Sequence, residues 1–262
     1  MSAVILDSSL VHYEALGRGK PLLFLHDWLG SWRYWVPTMV DMSSSYRAYA
    51  VDFWGFGDSD KIRARYSLSG YVAQVELFLD HMGLNRLPII GHGLGAVVAV
   101  YFALTHTDRV EQIMTVNMPF SAANIARPLS TFAGGANPAR AILGRRLKSY
   151  EEVDLEAGKT DGEAVVQSVR SILSQNVLGA VQSLDVPVLL VSGQEDTIIQ
   201  PPDEFALSTL EYNAYAYMFE GSQHFPMLEE SSKFNRLLRD FLTYGDNWDK
   251  IKVKDEWKRR MR

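Results

Sequence analysis

The sequence predicts an α/β fold in which a mostly parallel sheet is covered by helices on both faces. Three observations predict it. Short apolar runs alternate with helical patterns along most of the chain. Several of those runs are apolar at consecutive positions, as strands buried on both faces are. The alternation breaks only once, over residues 121–185. A chain of 262 residues, 47% hydrophobic and 22% charged, is long enough to bury such a core unaided. It has no cysteine, which removes disulfides, thiolate metal sites and a thiol nucleophile together.

The elements follow in order. Leu10–Leu16 reads as a strand by alternation and ends in the turn Gly17-Arg18-Gly19. Pro21–Leu25 is wholly apolar, a strand buried on both faces, and Tyr46–Val51 is the next strand, ending at Asp52. Gly70–His81 is helical, with Val72, Val75, Leu79 and Met82 on one face and Gly83 as its stop. The strand Leu87–Ile90 runs into Gly91-His92-Gly93-Leu94-Gly95, then a small-residue helix from Ala96 to Thr105 and a strand at Val110–Val116. After Met118-Pro119 the pattern changes. Gly134-Gly135 and Asn137-Pro138 interrupt a segment expected to be a mostly helical insertion, 121–185. Alternation resumes with a strand at Val186–Ser192, a helix near Asp203–Thr209, a strand at Tyr215–Phe219 and a helix at Ser231–Leu242. The expected division is a core over 1–120 and 186–245, the insertion over 121–185, and a tail over 246–262.

The net charge of −5 argues against a broad nucleic-acid surface. Basic residues concentrate only in the tail, which reads as a solvated terminal helix. No stretch approaches 18 consecutive apolar residues and the first residues lack a secretory pattern, so a cytoplasmic protein without a membrane span is expected. Dinucleotide, P-loop and metal-ligand spacings are absent, and Gly55-Phe56-Gly57 is a turn, so neither cofactor nor metal is expected.

Four motifs stand at strand ends. The first is His26-Asp27-Trp28-Leu29-Gly30-Ser31, and the second is Asp52-Phe53-Trp54-Gly55-Phe56-Gly57-Asp58-Ser59. The third is the strand–turn–helix Gly91-His92-Gly93-Leu94-Gly95. The fourth pairs Ser192-Gly193-Gln194-Glu195-Asp196 with Gly221-Ser222-Gln223-His224-Phe225. In these motifs and their order, residues 10–243 resemble the α/β-hydrolase superfamily, in its lid-bearing esterase- and lipase-like branch, least so in the insertion. The resemblance implies an eight-stranded sheet and a helical lid. It implies His224 as base and Asp196 as the carboxylate orienting it, with Glu195 as rival. The backbone N–H groups of Trp28 and Leu94 would form the oxyanion hole. His26 and His92 would frame the site, and Trp28 and Phe120 would line an apolar pocket for a small apolar substrate.

Two residues depart from that pattern. Position 93, the family's nucleophile, is glycine. Loss of a triad member typically removes a factor of about 10⁴–10⁶ from turnover. Glycine also relieves the roughly 1–3 kcal/mol of backbone strain that a side chain carries at such a turn. The second departure is Asp27, where the family usually has glycine. Its carboxylate either points at the oxyanion hole or turns away to cap a neighbouring N–H. In the first case, repulsion of an oxyanion at about 5 Å would cost about 3 kcal/mol at an effective dielectric near 20.

Three functions are then open. One is a protein of ester, lactone or amide hydrolase lineage with acyl-enzyme hydrolysis absent or strongly reduced. Another is a non-hydrolytic enzyme, of lyase or cofactor-free oxygenase type, with His224 as base. The third is a module that binds a small apolar ligand without turnover.

Overall fold

The apolar runs pair as parallel strands because both of their faces are covered. In the computed structural model, which describes residues 2–251, eight strands form one sheet. They are β1 (Ser2–Leu6), β2 (Ser9–Gly17), β3 (Lys20–Leu25), β4 (Tyr46–Val51), β5 (Leu87–His92), β6 (Val110–Val116), β7 (Val188–Gly193) and β8 (Ala214–Phe219). Their spatial order is β1-β2-β4-β3-β5-β6-β7-β8. β2 pairs antiparallel with β1 and β4, and every later neighbour is parallel. Leu22–Leu25 and Leu87–His92 are buried throughout, each large aliphatic side chain contributing roughly 1.5–3 kcal/mol.

Helices α1 (Val36–Met42), α2 (Leu68–His81) and α3 (Leu94–Thr105) follow β3, β4 and β5. Between β6 and β7 lie five helices: α4 (Arg127–Ser130), α5 (Pro138–Leu143), α6 (Glu151–Glu156), α7 (Gly162–Ile172) and α8 (Val177–Gln182). After β7 come α9 (Glu204–Ser208), α10 (Pro226–Glu229), α11 (Ser231–Tyr244) and α12 (Trp248–Ile251). α1 packs on α11, whereas α2 and α3 pack on each other, so the sheet is covered on both faces. Among the described residues, no helix is long and apolar enough to cross a membrane.

Several boundaries differ from the sequence reading, for local reasons. β1 escapes the alternation test because Val4, Ile5 and Leu6 are all apolar, although Ile5 faces outward. α2 begins at Leu68, two residues early, because the Ser67 side chain accepts from the Gly70 N–H at 3.1 Å. α3 begins at Leu94, immediately after Gly93, and β7 begins at Val188. Of the basic tail, Trp248–Ile251 forms α12, and residues 252–262 lie outside the described residues.

One pairing decides where chemistry can occur. β3 and β5 are parallel neighbours, with Leu25 opposite Gly91. The loop that follows β3 therefore emerges beside the turn that follows β5. Parallel strands β6, β7 and β8 bring Asn117, Asp196 and His224 to the same carboxyl edge.

Candidate active site

His224 is the centre of the arrangement. Its Nδ1 stands 2.8 Å from Asp196 Oδ2, and Asp196 Oδ1 accepts from the Ile198 and Ile199 N–H groups at 2.7 and 3.2 Å. Those two backbone donors hold the carboxylate in place and leave its second oxygen for the imidazole. The rival Glu195 is exposed. Asn117, on a left-handed backbone after β6, braces the histidine loop: its Nδ2 donates to the carbonyls of Gln223 and His224, and its Oδ1 accepts from the Gly193 N–H. Glu229 accepts from the Gln223 N–H and from the Tyr150 hydroxyl, tying the same loop to the segment between β6 and β7. The sequence reading missed Asn117 and Glu229. Each acts across strands or loops, and neither belongs to a short motif.

On the other side of the imidazole stands Asp27. Its Oδ2 lies 3.0 Å from His224 Nε2 and accepts from the Leu29 N–H at 3.2 Å. Its Oδ1 accepts from the Leu94 N–H at 3.1 Å. Leu94 is the first residue of α3, so the carboxylate sits on a helix N-terminus, where negative charge is favoured. A Cβ built on Gly93 would fall inside this carboxylate, overlapping Oδ1 and crowding Cγ. Gly93 has φ of +47°, a conformation that side chains resist, and its lack of a side chain is also what leaves Asp27 its room.

The expected oxyanion hole of Trp28 and Leu94 N–H groups is therefore not open. The Leu94 N–H is spent on Asp27, the Trp28 N–H also faces that carboxylate, and Leu29, which the sequence reading did not include, supplies a further donor. Of the two orientations left open for Asp27, the structure adopts the inward one. It satisfies the carboxylate with backbone N–H groups as well, so capping and filling prove to be one geometry. The Trp28 indole N–H donates to Ser168 Oγ on α7 at 2.9 Å.

The remaining framing residues serve the loops. His26 Nδ1 donates to the Asp27 carbonyl and its Nε2 accepts from the Phe53 N–H, stapling the first motif to the second. The Tyr34 hydroxyl accepts from the Asp27 N–H at 2.7 Å and bonds His92 Nδ1 at 3.0 Å. Phe120 is buried, and its carbonyl accepts from the Leu178 N–H of α8.

Electrostatics follow from this geometry. Burial alone opposes the His224 imidazolium, but charge and hydrogen bonds from Asp196 and Asp27 raise its pKa to about 10. Burial likewise opposes the Asp27 carboxylate, yet His224 and the local donors hold it down to about 2. Burial pushes His92 down to about 3, so it is neutral. The centre is an ionised row of carboxylate, imidazolium and carboxylate, with Asp27 fully buried and His224 2% exposed. Asp27, His92 and His224 offer ligand atoms within 4.8 Å of one another, as do His12, Asp52 and Asp58. In the first group the carboxylate and imidazole are already spent on each other.

Solved structures share this architecture across almost the whole chain. A meta-cleavage product hydrolase from Pseudomonas fluorescens IP01 superposes with a TM-score of 0.79 at 21% identity, covering 93% of this chain and 97% of that one. The enol-lactonase from Burkholderia xenovorans LB400 gives 0.76 at 17% identity, covering 92% and 100%. The α/β hydrolase fold family model matches residues 20–135. The chain is an α/β-hydrolase-fold protein.

Among curated sequences, this α/β-hydrolase-fold chain is 32% identical over 108 residues to a soluble epoxide hydrolase of Corynebacterium sp. (strain C12). That match covers 41% of this chain and 38% of the relative, so the chain spans little more than a third of the length of that enzyme. The pimeloyl-[acyl-carrier protein] methyl ester esterase of Vibrio cholerae is 23% identical over 259 residues, covering 89% of this chain and 98% of that protein.

Proposed function

We propose that this chain is of ester, lactone or amide hydrolase lineage and does not perform acyl-enzyme hydrolysis. One observation carries the reading: the Asp27 carboxylate occupies the volume in which a side chain at position 93 would begin. A serine oxygen and this carboxylate cannot stand there together. The donors that would receive a carbonyl oxygen's developing charge are bonded to Asp27 instead. The hydrolytic lineage is supported by the relatives, whose names span epoxide hydrolase, methyl ester esterase and enol-lactonase. In this reading, residues 121–185 act as a lid over the centre, the substrate is small and apolar, and Asp196 orients His224.

The alternative of His224 as a free base for lyase or oxygenase chemistry is disfavoured. An imidazole whose pKa is raised to about 10 already holds its proton at neutral pH. A ligand-binding module without turnover shares this reading and differs in keeping no chemistry at the centre.

The test is to restore the missing parts together. Asp27→Gly with Gly93→Ser frees the hole and supplies an alcohol beside His224. The wild type should leave p-nitrophenyl esters at the buffer rate, and the double variant should gain at least about 10²-fold. A burst of nitrophenol from the wild type, or a folded double variant with no gain, overturns the reading.

A further inference from the structure

We propose that the cavity where α2, α3 and the end of α7 meet is a binding site for a small amphipathic amine, an apolar body carrying one ammonium group. The cavity measures about 470 Å³. That lies within the range of small-molecule sites, roughly 300–1,000 Å³. None of its residues belongs to the four motifs at the strand ends, so the site is separate from the His224 centre.

The sequence of α2 builds one wall. Leu68, Val72 and Glu76 stand four residues apart, which places them on one face of the helix and spans roughly 12 Å. That face runs from apolar to charged. At its start Ser67 caps the helix, and the Leu68 N–H is donated to Ser171 Oγ at 3.0 Å, which ties α7 across the first turn of α2. The Ser67 and Ser69 hydroxyls lie 3.2 Å apart at this end. Half-buried Val72 and Tyr101 supply apolar wall from α2 and α3.

The other end carries the charge. Glu76 Oε1 stands 3.2 Å from His106 Nε2, and among the described residues its second oxygen has no partner. His106 is a fixed wall: its ring stacks on Phe102 at 4.5 Å and 13°, and its Nδ1 lies 2.8 Å from Thr105 Oγ1. No lysine or arginine lines the cavity, so Glu76 has spare capacity for a cation. A ligand with a carboxylate there would meet like charge. The two ends therefore orient a ligand, with its ammonium at Glu76, its body along Val72 and Tyr101, and its far edge at the serine hydroxyls. Concavity selects a small molecule, because the walls of three helical segments enclose a body of that size.

The experiment titrates the wild-type chain with tryptamine, and separately with indolepropionate, which has the same ring and a carboxylate in place of the amine. Backbone amides are followed by NMR. Tryptamine should bind with a Kd below about 1 mM and shift the amides of Leu68, Val72, Glu76, Tyr101 and Ser171. Indolepropionate should bind at least about fivefold more weakly. Glu76→Gln should weaken tryptamine about three- to fivefold and leave indolepropionate no weaker than before. Ala73→Phe, on the exposed part of the wall, should abolish tryptamine binding. Should that variant fail to fold, the comparison of Glu76→Gln with wild type decides alone. Absence of saturable shifts in that range overturns the proposal, as do shifts confined to other surfaces. Equal affinity for the two probes, or a Glu76→Gln variant that binds tryptamine as wild type does, overturns it as well.

Discussion

His12 and His224 are each paired through Nδ1 with a buried aspartate, and they differ in what faces the far ring nitrogen. His12 Nδ1 meets Asp52 Oδ2 at 2.9 Å, much as His224 Nδ1 meets Asp196 at 2.8 Å. Both carboxylates are anchored by backbone donors: Asp52 by the Trp32 and Asp58 N–H groups, Asp196 by those of Ile198 and Ile199. Beyond His12, Nε2 lies 3.6 Å from Glu14, past hydrogen-bond length. Beyond His224, Nε2 lies 3.0 Å from Asp27, beside a glycine and a helix N-terminus. One His–Asp pair thus continues into a third group at hydrogen-bond distance, and the other does not. The third group makes the difference.

The largest break in that comparison should come from Gly93→Ser alone. Its Cβ overlaps the Asp27 carboxylate, so the side chain must leave its donors and the backbone takes on strain. Losing the buried pair costs about 3–5 kcal/mol and the strained conformation about 1–3 more. Chemical denaturation should show a loss of that order, with no esterase activity gained.

Asp27→Ala should cost about 1–3 kcal/mol, because it leaves the buried Leu29 and Leu94 N–H groups without their acceptor while Asp196 still pairs with His224. Glu14→Ala, its counterpart beside His12, should weaken the His12 ring's environment less, since Glu14 is partly exposed and 3.6 Å from that ring. Equal losses in the two variants would remove the distinction between the pairs.

The pH dependence should separate the row's two partners. His224 has a folded-state pKa of about 10, above its ordinary 6.5. Its stabilisation is therefore complete below about 6.5 and is lost as pH rises through about 10. Asp27 is shifted the other way, from 3.8 to about 2, so its contribution is present above 3.8 and is lost as pH falls through about 2. In Asp27→Asn the alkaline loss should begin at lower pH. The His224 ring resonances, followed by NMR, give the direct readout.

A smaller effect than that of Gly93→Ser should come from Trp28→Phe. It leaves the Ser168 hydroxyl with its bonds to the Ala164 and Val165 carbonyls and removes one cross-segment hydrogen bond. A cost near 1 kcal/mol is expected, together with faster amide exchange in α7.

Much of this molecule was legible in its sequence. Apolar runs at consecutive positions announced the parallel strands, because a strand covered on both faces has no polar side to show. The order of motifs at strand ends named the fold, and a single letter at position 93 showed that the turn after β5 carries no side chain there. Asn117 and Glu229 were not legible. Their partners are backbone groups of distant loops, which no local pattern records.

The direction of Asp27 belongs to the tertiary structure alone. Asp27 and Leu94 stand 67 positions apart in the chain and meet only because β3 and β5 are parallel neighbours. The sequence determined that residue 93 has no side chain and that residue 27 has a charge. Only the packed sheet decided that the charge occupies the space the side chain would have taken, because that space exists only where the two loops meet.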